Sequence, residues 1–463
     1  MKGTVEVRGA KNAALPALFS TILTDSPCVI RNVPDLRDVT STLEILRELG
    51  MSCERRMDGS IAVVEENRDL HTAPYEHVRK MRASICTLGP LVARRKKAKV
   101  SMPGGCVFGV RPIDLHLKGL AALGADIRIN HGYIEAEAKD LRGTTIYLGG
   151  PFGSSVLGTA NVMMAATLAR GTTVIEAAAC EPEIADLALF LKAMGARIEG
   201  IGTPRLVIEG VRELAGAEHA IIPDRIEAGT LLIAGAITRG DIVVKGARIE
   251  HLTAVTEVLK QAGLKISAEN DSIRVRSNGG FHAVDVTTLP YPGFPTDLQA
   301  QIMALLSLAD GISIITEKVY PDRFIHVAEL ARMGAKVRKE GPSAIISGVK
   351  KLSVAPVMAS DLRASACLLI AGLVAAGVTT VYRIYHLDRG YERIEHRLGG
   401  LGAHIRREPV GMVVFPIVTY FLQHWMMGWA SAPYDPFWAE RYPRRRAVLV
   451  REWRAAQRIP DRE

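Results

Sequence analysis

The chain repeats itself six times. A helix ending in a small glycine motif is followed by a short strand, a turn and a second strand in LEILRELGMSCERRMDGSIAVV, LKGLAALGADIRINHGYIEAEA, LFLKAMGARIEGIGTPRLVIEG, VLKQAGLKISAENDSIRVRS, AELARMGAKVRKEGPSAIISG and HRLGGLGAHIRREPVGMVVF. The marker glycines Gly50, Gly124, Gly195, Gly263, Gly334 and Gly402 lie 74, 71, 68, 71 and 68 residues apart, a period that runs through nearly all of the 463 residues. Repetition at a fixed period restricts the fold to copies of one unit that bury their apolar faces against each other.

Upstream of the markers lie helices of another kind, such as VLGTANVMMAATLARG, RIEAGTLLIAGAITRG, DLQAQIMALLSLADG and DLRASACLLIAGLVAAG. A helix that is apolar all round is either buried on every side or crosses a membrane. None of these reaches the roughly 18 uninterrupted apolar residues of a span, so burial is expected. The marker helices carry a one-sided stripe and should show their other side to water. Each unit therefore reads as strand, buried helix, strand, amphipathic helix, strand, strand, with the glycine as a C′ residue at positive φ. The fold class is α/β. A chain of this length should divide, and three units per domain places the crossing near Glu218 to Pro223, with a ligand in the cleft between the halves.

Composition narrows the function classes. The six cysteines, Cys28, Cys53, Cys86, Cys106, Cys180 and Cys367, show no ligand or disulfide spacing, which supports neither a metal site nor a disulfide framework. No cleavable signal precedes the first repeat, and the reading is cytoplasmic. The net charge of +9 is dispersed apart from ARRKKAK at 93–99 and RYPRRR at 441–446. Without aromatic interleaving or a recognition motif this excludes nucleic acid as partner, and the first run is read as a solvated turn. An anionic small substrate fits better, provided that cations converge.

The chemistry-bearing residues sit where core elements end: GAKNAALP, KMRAS, PGGCVFGVRPIDLH, FPTDLQAQ, ASDLRASA and YHLDRGYERIE. Such element ends are where function concentrates. These motifs, in this order from about Lys2 to Arg407, resemble the UDP-N-acetylglucosamine enolpyruvyl transferases. The resemblance implies a two-domain inside-out α/β barrel of the enolpyruvyl transferase type, made of residues 12–220 and of 1–11 with 221–411. It also implies transfer of the enolpyruvyl group of phosphoenolpyruvate to the 3′-hydroxyl of UDP-N-acetylglucosamine, early in peptidoglycan synthesis, with no metal or organic cofactor. That reaction needs a proton for the enolpyruvyl methylene, a base for the hydroxyl, and cations around a phosphate and a carboxylate.

By the same resemblance Cys106 is the proton donor on a loop that Gly104 and Gly105 let move, with Arg111 favouring its thiolate. Lys11, Arg111 and Arg389 hold phosphoenolpyruvate, joined by Arg363, because a guanidinium matches phosphate and carboxylate in two-pronged fashion. Asn12 stands beside Lys11 at a helix start suited to an anion. Asp297 is the expected base, and Asp361 a second acidic cleft residue; both also read as helix N-caps. Sugar-nucleotide contacts carry over to Arg82, to Arg111, Pro112, Ile113, Asp114 and Leu115, to Ser154, Ser155 and Val156, and to Val319. Arg37, Asp38, His116, Arg225 and Glu227 are secondary candidates.

Three features depart from the family. It carries about ten further residues ahead of GTVEVRGAKN that add a strand, so a different start or an unfilled sheet edge is expected. GGPFGSSVLG replaces the usual FPSVGATEN pattern, which weakens the uridine contacts there. Residues 412–463 hold all four tryptophans and ten of the 25 aromatics. Their first residues are expected to complete the sixth unit's last strand, and the rest is read as an extension without a role, with an interfacial membrane helix as the alternative. 5-Enolpyruvylshikimate-3-phosphate synthase is the enzymatic alternative, disfavoured by GAKN and PGGC. A non-catalytic sugar-nucleotide-binding paralogue is the other, disfavoured by the presence of Cys106, Asp297 and the cations.

Overall fold

The structure is a computed structural model that describes residues 1–103, 113–277, 279–409 and, by backbone alone, 445–450. Within them six four-stranded sheets pack around two sets of three buried helices. One hydrophobic core runs from Ala10 to Ile222, and a second comprises Val5, Val7 and residues from Ile226 to Leu401. These define a first and a second lobe.

The buried helices follow from their composition. In Arg225–Ile237 every residue after the first is buried, and in Gln299–Leu306 all eight are. By contrast the outer helix Thr253–Gln261 buries only Val255, Thr256 and Leu259, one stripe of its surface. All six marker glycines have φ between +77° and +105°. At Gly195 the amide donates to Lys192 O and the next amide, of Ala196, to Leu191 O, both at 2.9 Å. This is the paired closure that a left-handed C′ residue allows, and it satisfies carbonyls the helix would otherwise leave open.

Each sheet places the unit's last strand inside and the third at the edge. In the fifth unit the order is Val286–Thr288, Ile312–Glu317, Ser343–Ser347, Lys336–Glu340, with only the first pair parallel. The leading strands of the first and fourth units are exchanged. Lys2–Glu6 runs directly into the buried helix Lys11–Ser20 but pairs with Asp241–Lys245 of the fourth unit, while Glu218–Ala220 pairs with Cys28–Arg31 of the first. The two crossing segments bond to each other: Ala10 N–H donates to Ile222 O at 2.7 Å, and Asp224 N–H to Arg8 O at 2.8 Å.

Two sequence expectations need correction. The run at 93–99 turns at Lys96, where φ is +64°, and Lys96 and Lys97 are exposed as expected, but its two arginines are not solvated. The Arg95 side chain is 2% exposed and its Nη2 lies 3.0 Å from Glu65 Oε1, while Arg94 reaches Asp25 at 3.2 Å. Burying guanidinium at a helix end demands such partners. In the sixth unit the strand expected just after Ile405–Pro409 falls on residues outside those described, and the inner place of that sheet is taken by Arg445–Val450. Among the described residues no helix is long and apolar enough to cross a membrane. The expected interfacial segment of the tail lies outside them.

Candidate active site

The charged motifs sit at the N-terminal ends of buried helices of both lobes. Lys11 opens the helix Lys11–Ser20, and its Nζ lies 3.0 Å from Asp38 Oδ2. Arg389 closes the 3-10 turn Ile384–Arg389 in the second lobe. Its Nε is 2.9 Å from Asp38 Oδ1 and its Nη2 is 3.4 Å from Oδ2. Two cations 378 positions apart in sequence thus meet on one carboxylate. Burial acts to raise the Asp38 carboxyl, yet Lys11 and Arg389 together hold it below the usual carboxylate range.

A second cluster forms around Asp297. It lies in the 3-10 turn Thr296–Leu298, ahead of Gln299–Leu306, and its side chain caps no helix. The N-cap reading of Asp297 is therefore corrected. Its oxygens instead take Arg323 Nη1 and Arg363 Nη2, each at 2.8 Å. Burial opposes the charge, but these guanidiniums hold the carboxyl well below its ordinary value. Arg363 is 3% exposed and packs over the Tyr391 ring at 5.3 Å. Its Nη1 is buried with no hydrogen-bond partner among the described residues. Asp361 does cap, accepting the Arg363 and Ala364 amides at 2.9 and 3.1 Å. Asp224 caps Arg225–Ile237 and accepts the Lys11 amide at 3.4 Å, and the charge of Arg363 acts on it from the second cluster.

The expected sugar-nucleotide residues fall in two neighbourhoods. Ser155 caps the helix Val156–Ala166 by accepting the Gly158 amide at 3.1 Å. A Cβ on Gly150 would meet Leu115 Cδ1 at 3.2 Å, so Ile113, Asp114 and Leu115 adjoin the loop of Ser154, Ser155 and Val156. That loop meets the second lobe, where a Cβ on Gly153 would lie 2.7 Å from Pro290. Val319 stands beside Asp297: Glu317 Oε1 accepts its amide at 2.9 Å, and Glu317 Oε2 accepts the Thr296 hydroxyl at 2.9 Å. Arg82 begins the 3-10 turn Arg82–Thr87 and adds to the positive field at His116. Asn12 is half-buried beside Lys11. Cys106, Arg111 and Pro112 lie outside the described residues.

The secondary candidates separate. Arg37 is exposed, unlike its buried neighbour Asp38. His116 belongs to the core: it is 3% exposed, its Nδ1 lies 3.1 Å from Asn161 Nδ2, and burial and then Arg82 push it down to about 3. Arg225 pairs with Glu183 of the first lobe, and Glu227 with Arg397 at 3.0 Å. Sequence reasoning missed Arg323, Tyr391 and Asp224. Arg323 in VYPDRF stands four residues after Val319, and Tyr391 two after Arg389, so proximity to motif residues was the available signal.

A cavity of about 610 Å³ lies elsewhere, at the C-terminal ends of the second lobe's buried helices, lined by residues such as Met1, Arg239, Lys350 and His404. None of the candidate residues borders it, and the charged helix N-termini are the better guide to chemistry. Among the described residues no group of histidine, cysteine and carboxylate side chains could hold a metal ion.

Paired lobes of helices enclosed by sheets, with cation–carboxylate clusters at the helix starts, define an enolpyruvyl transferase fold, and the comparisons agree. The pattern of the EPSP synthase (3-phosphoshikimate 1-carboxyvinyltransferase) family matches residues 1–398, and the chain belongs to this family. A UDP-N-acetylglucosamine 1-carboxyvinyltransferase of Methylacidiphilum infernorum is 53% identical over 408 residues, covering 88% of this chain and 96% of that one. The protein so named in Desulfosudis oleivorans is 54% identical over 407 residues, covering 88% and 97%. Among solved structures, the enolpyruvyl transferase NikO from Streptomyces tendae superposes with a TM-score of 0.77 at 24% identity, over 86% of this chain and 94% of that one. EPSP synthase from Acinetobacter baumannii does so with 0.67 at 18%, over 86% and 95%. At those identities the two structures speak for the fold alone.

Proposed function

We propose that this chain transfers the enolpyruvyl group of phosphoenolpyruvate to the 3′-hydroxyl of UDP-N-acetylglucosamine and releases phosphate, as a cytoplasmic step toward peptidoglycan. Relatives bearing that activity in their names, identical at half their positions over nearly their whole length, support the reaction class. The single observation that carries it in the structure is the convergence of Lys11 and Arg389, from opposite lobes, on one point. A dianionic phosphate with a nearby carboxylate calls for such a cation set.

In this reading the two lobes, which meet near residues 10–11 and again near 221–224, are domains that close over the substrates. The sugar oxygen adds to C2 of phosphoenolpyruvate while C3 gains a proton, making a methyl group. Loss of a C3 proton and of phosphate then restores the double bond. Cys106 supplies the proton, and Asp297 takes that of the hydroxyl. Gripped by two guanidiniums, Asp297 is a weak base. An anionic substrate that draws Arg363 onto itself raises the basicity of Asp297 at the moment it is needed.

The test is phosphate release with phosphoenolpyruvate, with and without UDP-N-acetylglucosamine, for wild type, Cys106→Ala and Asp297→Ala. Release that depends on the sugar nucleotide and collapses in both variants is expected. A folded protein that binds the sugar nucleotide and releases no phosphate would instead be the non-catalytic paralogue, and release that requires shikimate 3-phosphate would point to the other transferase.

A further inference from the structure

Asp38 occupies a position that the proposed reaction does not explain by itself. It is the second residue of the helix Arg37–Glu48 and is 4% exposed. A carboxylate in a first turn ordinarily faces water and complements the dipole of its own helix, whereas this one is buried. Both oxygens are turned to cations: Oδ1 takes Arg389 Nε at 2.9 Å, while Oδ2 is shared by Lys11 Nζ at 3.0 Å and Arg389 Nη2 at 3.4 Å. Lys11 belongs to the first lobe and Arg389 to the second, so the carboxylate also ties the lobes at this point.

Two like charges held near one point repel each other, and that repulsion is strong where water is scarce. An anion fixed between them removes it. The donors of an ammonium and a guanidinium outnumber what one carboxylate can take, so both cations can face a second anion while keeping their grip on the first. We propose that Asp38 is a positioning residue for phosphoenolpyruvate, holding Lys11 and Arg389 in register across the lobe boundary so that both engage the same ligand. This rests on the reading above. The hinge region offers no substitute, because Glu227 is taken by Arg397 at 3.0 Å and by the Arg8 amide at 3.0 Å.

A merely structural ion pair and a positioning residue differ in what their loss disturbs. Steady-state phosphate release by wild type, Asp38→Asn and Asp38→Glu reads this. Asp38→Asn is expected to raise KM for phosphoenolpyruvate at least about tenfold while KM for UDP-N-acetylglucosamine stays within about twofold, and Asp38→Glu is expected to recover part of the loss. An unchanged KM for phosphoenolpyruvate, or equal rises in both constants, overturns the proposal. If Asp38→Asn does not fold, the same split read on Asp38→Glu decides it. A wild type without turnover overturns the proposed reaction separately. Calorimetric binding of phosphoenolpyruvate to wild type and variant then carries the test, where equal affinity, or none in either protein, overturns the role of Asp38.

Discussion

Arg363 Nη2 lies 2.8 Å from Asp297 Oδ2, joining the expected base to a cation expected to bind substrate. With Arg323 on the other oxygen at 2.8 Å, Asp297 is ionised and restrained. Asp297→Asn leaves two buried guanidiniums short of their counter-ion and is expected to cost about 3 kcal/mol of stability near neutral pH, and turnover is expected to drop about 10²–10⁴-fold. The folded-state pKa is depressed, so the stability from this carboxylate is present above the unfolded value of about 3.9 and is lost as pH falls through the folded value. Denaturant titrations of both proteins, run from neutrality toward about pH 2, should show the gap closing only in acid. A gap that is constant with pH would refute the assignment.

Glu227 behaves in the opposite sense. Burial, outweighing Arg397, pushes its carboxyl up to about 7. Its folded state holds a proton that the unfolded state releases near 4.3, so wild-type stability falls as pH rises across this window, by up to roughly 3 kcal/mol. Glu227→Gln cannot titrate. Its Tm relative to wild type should therefore improve between about pH 5 and pH 8, and a relative Tm that declines would exclude this account.

Glu183 and Arg225 form a two-pronged contact between the lobes, Nε to Oε1 at 2.9 Å and Nη2 to Oε2 at 3.3 Å. Glu183→Gln is expected to cost about 2 kcal/mol, and to do so equally at low and high salt, because buried pairs are poorly screened. The exposed pair of Arg274 with Asp241 at 2.7 Å gives the contrast: Asp241→Asn should have a smaller effect that fades with added salt. Denaturation midpoints at two ionic strengths compare them.

The marker glycines allow a test of backbone conformation alone. Gly195 has φ +105°, and a Cβ added there would meet nothing within 4 Å, so Gly195→Ala should cost about 1–2 kcal/mol from the left-handed conformation only. Gly50→Ala should cost more, since its Cβ would run into the carbonyl oxygen of Asn67. Equal losses in chemical denaturation would count against the difference.

Much of this is legible in the order of residues. The period of about seventy residues and the helices apolar on all faces require repeated units with helices inside, and the six glycines mark their outer helix ends. Lys11, Asp297, Arg363 and Arg389 are readable because they stand in motifs at element ends. Asp38 and Arg323 are harder to rank, since an aspartate in DLRDV and an arginine in VYPDRF look like surface charges until their partners are known.

What the sequence determined by itself is what depends on neighbours along the chain: helix type, glycine position and the order of strands within a unit. Tertiary structure alone decided which strands were exchanged between lobes, which arginines were buried, and that residues 27 and 351 positions from Asp38 meet on its carboxylate. The physical reason is that periodicity and capping are local, acting within a turn or two, whereas ion pairs depend on distance in space. That distance is set only when both cores close and the two crossing segments bond side by side.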